Sequence, residues 1–459
     1  MKYEFRLQSR VDAPAKVVFD WHLRPGALER LMPGFQPLEV LERHGNVETN
    51  GRVITKMRIG PFAMKWISQH KDFNRAQLSF VDETKGGPFQ WEHYHSVLPD
   101  NSGACVLSDH LRYQLPFGLG PIINFKMRAD LDRAFRYRHQ ILKSDVRRHC
   151  EYPNESLRIG ITGANGLVGS SLAAFLTTGG HTVIPITRPG RQKYNYLSER
   201  IEWDPKAGKI ESTKLEGFDA IIHLAGENIA SRRWSTKQKE EIRRSRVEGT
   251  RFLTSEIIKL KNPPRVFVSA SAIGIYANRG DEILTETSAP GLDFLSKVCQ
   301  EWEAAAQPAR DRGVRTVNLR FGVILAARDG ALKKMLIPFL LGAGGRVGSG
   351  DQWMSWISLY DAVAAIHYAI MNDQISGAAN AVAPGAVTNS EFTKTLGRVL
   401  RRPTIAPLPA PIVSLAFGEL GETLLLGSQR VIPEVLQNAR FRFEYPNLED
   451  ALRFELGRY

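Results

Sequence analysis

The chain has 459 residues, 43% of them hydrophobic and 24% charged, which suits a water-soluble globular protein of about three domains. The formal charge of +13, from 61 basic and 48 acidic residues, is spread along the chain rather than gathered in runs. That argues for a solvated basic surface, and against a nucleic-acid arm. No stretch of about 18 apolar residues is present to span a bilayer, and the opening MKYEFRLQSR has no apolar signal core. Cys105, Cys150 and Cys299 form no CxxC pair, so a reducing cytoplasm is the expected location.

Residues 1–146 alternate apolar and polar side chains over Val53–Ile59, Phe62–Ser68 and Cys105–Tyr113, the pattern of antiparallel strands. Met127, Leu131, Phe135 and Leu142 then recur at helical spacing and predict a long amphipathic helix lying across the sheet. A sheet gripping a helix often encloses a cavity, so an apolar ligand and a filled core are both open readings. Trp66, Phe89 and Trp91 read as packing residues. His93, His95 and His110 do not read as a metal site, because no carboxylate or cysteine sits among them at ligand spacing. The polar run 147–156 reads as a linker between folding units.

Leu157 to Arg188 carries the most information. Leu157, Ile159 and Ile161 end abruptly at Gly163, and Gly163, Gly166 and Gly169 repeat as G-x-x-G-x-x-G before a helix-periodic run and a second strand, Thr182–Thr187. In such a strand–turn–helix the first glycine permits the turn, the second lets the backbone approach a pyrophosphate, and the third lets helix pack on strand. The free N–H groups and the dipole of the helix start then favour the phosphates. Gly163, Ala164, Asn165, Gly166, Leu167, Val168 and Gly169 are the expected cradle. The second strand ends at Arg188, with Arg191 close behind, where an NAD-preferring protein usually carries Asp or Glu. A guanidinium suits a 2′-phosphate, so NADP(H) is preferred, with NAD(H) kept as the alternative.

Downstream, Asp219–Gly226 and Val266–Ser271 read as buried parallel strands, 237–260 as an amphipathic helix, and Thr316–Leu325 as a further strand. Right-handed crossovers place the strand ends on the same edge as Gly163. Leu224, Ala225, Gly226 and Glu227 are therefore expected beside the cofactor, with Asn228 next in line. The expected fold class is α/β: a doubly wound parallel Rossmann sheet over 157–400, preceded by an α+β helix-grip unit and followed by a small unit over 401–459 packed on it. Ala406–Leu426 is too polar for a membrane span and is assigned to core packing.

Two resemblances follow from these segments. The first 146 residues, with VDAPAKVVF at 11–19, resemble the START-like or polyketide-cyclase-like helix-grip domains, which implies a pocket for an apolar ligand. From Leu157 onward GANGLVG, DAIIHLAG, SASAIGIY and LRFGVIL occur in the order of the extended short-chain dehydrogenases/reductases. More narrowly, HLAGENIASRRW, the glycine-rich run 342–350 with QWMSW, and LLLGSQRVIPEVL resemble an atypical epimerase-like subgroup. The resemblance implies hydride transfer on an unidentified small molecule, or a catalytically silent NADP(H)-binding sensor. It implies a substrate-binding role for Ser271 and a closing segment at 342–350.

The departure from that pattern is as informative. No Tyr-x-x-x-Lys dyad exists: where it should fall, Asp293 precedes Lys297, and Tyr276 is followed at that spacing by Gly280. Ser271, Tyr276 and Lys297 are the candidate catalytic residues, with Glu227 and Asp293 as substitute acids or bases. Arg232 and Arg233 either meet an acidic substrate or sit on the surface. Cys299 has no neighbouring histidine to activate it and reads as a buried helix residue.

Overall fold

β1 (Lys2–Val11) leads into two short helices, α1 (Ala15–Leu23) and α2 (Ala27–Leu31). Six more strands follow: β2 (Leu38–His44), β3 (Arg52–Ile59), β4 (Phe62–Asn74), β5 (Ser79–Lys85), β6 (Gln90–Pro99) and β7 (Cys105–Gln114). They form an antiparallel sheet of order β1-β7-β6-β5-β4-β3-β2, in which the chain's first strand pairs with its seventh. The 31-residue helix α3 (Gly120–Cys150) lies against β1. The computed structural model describes residues 2–459 apart from 37, 60–61, 86–89, 116–119, 154–155, 191–195 and 198; the readings placed on Phe89 and Arg191 lie outside the described residues.

The second sheet is built from β8 (Arg158–Thr162), α4 (Leu167–Thr178), β9 (Thr182–Thr187), β10 (Ile201–Asp204), β11 (Lys209–Ile210), β12 (Ala220–His223), α5 (Thr236–Ile257) and β13 (Val266–Ala272). It continues through β14 (Ile283–Leu284), α6 (Phe294–Ala305), α7 (Gln307–Asp311), β15 (Arg315–Phe321), β16 (Val323–Leu325), α8 (Gly330–Leu340), β17 (Trp353–Met354), β18 (Trp356–Ser358), α9 (Leu359–Met371) and β19 (Gly377–Ala381). The chain closes with β20 (Val387–Thr388), α10 (Asn389–Leu400), α11 (Ala410–Phe417), α12 (Glu419–Leu424), β21 (Arg430–Val431), α13 (Glu434–Asn438) and α14 (Leu448–Leu456). The strand order β11-β10-β9-β8-β12-β13-β15-β19 contains the doubly wound Rossmann order, with the addition of strands switching from one edge of the sheet to the other between β8 and β12. Every pairing in this sheet is parallel except β10 with β11. Its central strands β8, β9 and β12 are buried almost throughout, as strands covered by helices on either side must be.

α3 joins the two sheets because its faces serve different cores. Ile141 enters the core of the second sheet, whereas Leu142 and Val146 enter that of the first. Arg30 of α2 makes a two-pronged ion pair with Asp145 of α3 at 2.6 and 2.8 Å, both side chains buried. On the other side, Gly26 packs against Ala174 and Thr177, and Arg24 donates to the Thr178 carbonyl at 2.7 Å, so the first unit grips the C-terminal end of α4.

Three expectations change. The segment expected as a linker is helical as far as Cys150. Arg147 donates to Glu444 and Arg148 to the Arg442 carbonyl, because these side chains find carboxylate and carbonyl partners on the connection between α13 and α14. The apolar run Thr316–Leu325 is two strands: the backbone turns at Gly322, where any Cβ would stand 2.6 Å from Ser355 O, and β16 pairs with β18 instead. Within 406–426 only Val413, Leu420 and Gly421 are buried, and Ile412, Leu415 and Phe417 of α11 are exposed. The segment packs through one side rather than entering the core.

Candidate functional site

The site begins where β8 stops. Gly163 adopts φ +70°, and a Cβ there would lie 2.7 Å from the Leu224 carbonyl carbon, so the turn and the end of β12 touch backbone to backbone. At Gly169 a Cβ would fall 2.3 Å from Gly163 O, which closes helix onto strand. Gly166 differs, because its missing Cβ would meet only Gly163 O at 3.2 Å and its outer side stays open. α4 starts there with no side-chain cap, leaving its first-turn N–H groups for an anion. This cradle, shaped by absent side chains, fits a dinucleotide's diphosphate. Arg188 is exposed just past the end of β9, on the side where a ribose 2′-substituent would sit.

Thr162 and His223 hold the cradle from beneath, and neither was singled out from sequence. Thr162 Oγ1 accepts from the N–H groups of Leu224 and Ala225 at 3.2 and 3.3 Å, and lies 2.7 Å from His223 Nδ1. With its lone pairs so used, Thr162 sends its proton to His223, which must be neutral. Burial also drives the imidazole down to about 3. Glu227 N–H donates to Ser245 Oγ at 2.9 Å, tying the loop after β12 to α5. Asn228 is exposed and accepts from Ala230 N–H at 2.9 Å. Arg328 was also missed: its guanidinium donates to the Leu167 carbonyl and to Ser170 and Ser171 Oγ at 2.8, 2.9 and 2.6 Å, placing a fixed positive charge at the first turn of α4.

The three candidate catalytic residues do not converge. Ser271, at the end of β13, donates to Glu303 Oε1 at 2.6 Å. Glu303 in turn receives Arg320 Nε and a terminal nitrogen, each at 2.8 Å. Tyr276 is fully buried, donates to Asn380 Oδ1 at 2.8 Å and accepts from Arg320 at 2.9 Å. Burial raises its phenol, against the opposing pull of Arg320. Lys297 is exposed in the first turn of α6. It precedes Glu303 by six residues, so the two point about 120° apart around the helix and do not share Ser271. Asp293 is the N-cap of α6, its Oδ1 accepting from Ser296 N–H at 2.8 Å. Burial pushes the Cys299 thiol up to about 12, in keeping with an inert core residue.

The glycine-rich run 342–350 is laid against the segment that follows α10: Val347 bridges Leu408, and a Cβ at Gly345 would stand 2.0 Å from Ala406 O. Gln352 donates to the carbonyls of Val347 and Leu425 at 3.0 and 2.9 Å. Trp356, the last residue of the QWMSW stretch that follows the run, is fully buried and donates its Nε1 hydrogen to the Gly385 carbonyl. Arg232 and Arg233 are exposed, and Trp234 packs edge-on against Phe294.

In the first unit the β6 histidines meet carboxylates of the neighbouring strands. The antiparallel register supplies the carboxylates that local spacing lacks: Asp82 lies opposite His93, and Asp109 opposite His95. One ligand atom from each of Asp82, His93 and His95 falls within 4.8 Å of the others, a group able to hold a metal ion. His110 points away and sits 3.2 Å from Glu4. Among the described residues no helix is long and apolar enough to cross a membrane.

Comparison with known proteins places this geometry. Residues 159–381 match the model of the NAD dependent epimerase/dehydratase family, and 408–455 match a domain of unknown function, DUF1731. An epimerase family protein of Mycobacterium tuberculosis is 40% identical over 300 residues, covering 65% of this chain and 98% of its own length. The crystal structure of a nucleoside-diphosphate sugar epimerase from Corynebacterium glutamicum is similar over 99% of this chain and 90% of its own, with TM-score 0.81 and 33% identity. Human epimerase family protein SDR39U1, solved with NADPH, is similar over 66% of this chain and 100% of its own, with TM-score 0.61 and 33% identity.

Proposed function

Because the chain belongs to the NAD dependent epimerase/dehydratase family, we propose that it binds NADP(H) at the β8–α4 turn and acts as an oxidoreductase or epimerase on a small molecule. The observation that carries the reading is the cradle itself: two glycines fixed by backbone contact, a third left open, and an uncapped helix start at the reversal point of the sheet. NADPH in the human relative supports the choice of cofactor, as does Arg188 where an acidic residue would select NAD. When bound, the dinucleotide supplies the hydride.

The chain's own residues suggest how a proton is handled without the Tyr–Lys pair. Ser271 directs its hydroxyl hydrogen at Glu303, so its lone pairs are the groups left to accept a hydrogen bond from a substrate hydroxyl. A proton arriving at Ser271 Oγ passes to Glu303 as the serine's own hydrogen moves over. Arg320 grips both Glu303 oxygens, and also donates to the Tyr276 hydroxyl, which Asn380 holds in turn, and to the Glu286 carbonyl. In this reading Ser271 meets substrate, Glu303 takes the proton, and Arg320 and Tyr276 are positioning residues.

The burial of Ser271 and the burial and saturated bonding of Tyr276 favour a second reading, a catalytically silent NADP(H) sensor. Both are tested by titrating the full chain with NADPH and NADH, then following NADPH absorbance, and by NMR the stereochemistry of the recovered sugars, with a panel of sugar nucleotides, quinones and aldehydes. Binding with turnover that falls in Ser271→Ala and Glu303→Gln supports the enzyme; binding with no turnover on any of the panel supports the sensor. No heat with either nucleotide, in the wild type as in Gly166→Asp, overturns both.

A further inference from the structure

Five of the eleven histidines gather inside the first unit: His22 on α1, His70 on β4, His93 and His95 on β6, and His139 on α3. They surround two carboxylates, Asp82 of β5 and Asp109 of β7. His93 Nε2 lies 2.9 Å from Asp109 Oδ1, and His139 Nε2 lies 2.7 Å from Asp109 Oδ2. His95 faces both carboxylates: its Nε2 is 3.1 Å from Asp82 Oδ2, and its Nδ1 is 2.9 Å from Asp109 Oδ1 but misaligned for a hydrogen bond. The misaligned nitrogen belongs to a side chain about nine-tenths buried and is aimed into the cluster. Ser9 Oγ, 2.8 Å from His139 Nδ1, and His70, hydrogen-bonded to Asp82, hold the outer edges.

Beside the cluster is a hole of about 10 Å³ lined in part by His22, His95, Asp109, Arg138 and His139, room for about one water or one ion. Arg138 is a competing positive charge there, but its Nε is engaged by the Leu31 carbonyl at 3.2 Å. His95 also lines an open cleft of about 520 Å³ with Phe80 and Tyr94, which gives the cluster an approach from solvent.

We propose that this cluster is a binding site for one divalent first-row transition-metal ion, held by Asp82, His93 and His95 with Asp109 facing the same point. Metal–nitrogen and metal–oxygen bonds of about 2.0–2.2 Å put neighbouring ligand atoms roughly 3–4 Å apart; the three atoms here lie within 4.8 Å of one another, His95 Nε2 and Asp82 Oδ2 at 3.1 Å, so a small inward movement of the side chains seats the ion. Two imidazoles and a carboxylate select zinc or ferrous iron over magnesium or calcium, which prefer all-oxygen shells. His70, hydrogen-bonded to Asp82, gives the carboxylate ligand the outer support that metal-site ligands require. The site is separate from the dinucleotide cradle and does not depend on it.

The test uses the full chain, stripped with chelator and titrated with Co²⁺. The expected result is uptake of one ion per chain with a visible ligand-field band that Zn²⁺ abolishes by displacement. Asp82→Asn/His93→Gln weakens uptake by at least about 100-fold, whereas His110→Gln, on the other side of the sheet, leaves it unchanged. Nucleotide titration of each variant reports whether the rest of the chain is folded. No Co²⁺ or Zn²⁺ uptake by the wild type, which needs no variant to fold, overturns the proposal, as does an unaltered band in the double variant.

Discussion

The two sheets treat buried polarity in opposite ways. In the first, two carboxylates from different strands are turned inward and surrounded by imidazoles from two further strands and two helices. In the second, His223 is neutral, Thr162 is saturated, and the open polar groups are main-chain amides at the start of α4. The first arrangement depends on side chains meeting across strands, so each can be replaced alone. The second depends on side chains that are missing, and adding one is the way to damage it.

The largest effect is expected where the sheets are joined. Asp145→Ala leaves the Arg30 guanidinium buried and unpaired, which should cost about 3–5 kcal/mol. Urea unfolding followed by tryptophan emission measures it, and Arg30→Met/Asp145→Leu should recover most of the loss. If the single change costs nothing, the joint is not held by this pair. Next comes Glu455 of α14, which burial pushes up to about 7 from its ordinary 4.5, against the opposing pull of the Ala327 N–H and Arg328. The unfolded chain therefore releases this proton first, and stability present below pH 4.5 is lost as pH rises through 7, by about 3 kcal/mol in all. Glu455→Gln should remove that slope, and unfolding curves across the range for both proteins check it.

A smaller effect is expected at Gly169→Ala, whose methyl would meet Gly163 O. It should destabilise by about 1–3 kcal/mol and weaken NADPH binding with it; retained affinity would show that α4 can slide off the strand. The smallest is Arg188→Glu, which should weaken NADPH about tenfold, or about 1.4 kcal/mol, while leaving NADH nearly unchanged. Equal losses for both nucleotides in calorimetry would move the 2′-phosphate contact elsewhere.

The contrast also explains what the sequence made legible. Gly163, Gly166 and Gly169 act within one strand–turn–helix, so their spacing together with the flanking strands and helix points to this turn. Glu303 and Arg320 complete Ser271 from 32 and 49 positions downstream, across a helix and a further strand, and no local pattern joins them. The histidines were set aside because Asp82 and Asp109 are remote in sequence, and only the antiparallel register brings them opposite His93 and His95. Gly322 hid inside an apolar run whose two halves belong to different sheets. Arg328 reads as one more surface arginine until α8 brings its neighbourhood to the first turn of α4.

The grip of α2 on the far end of α4 reaches beyond this molecule. The mycobacterial relative aligns over 98% of its own length with 65% of this chain, which leaves it too few further residues to build an equivalent of the seven-stranded unit. The patch that Gly26 and Arg24 cover here must then lie bare to solvent in that protein or be sheltered by a neighbouring subunit. Small apolar positions such as Ala174, harmless under a roof, would there invite association, so the shorter form is expected to carry polar residues at this spot or to pair through it.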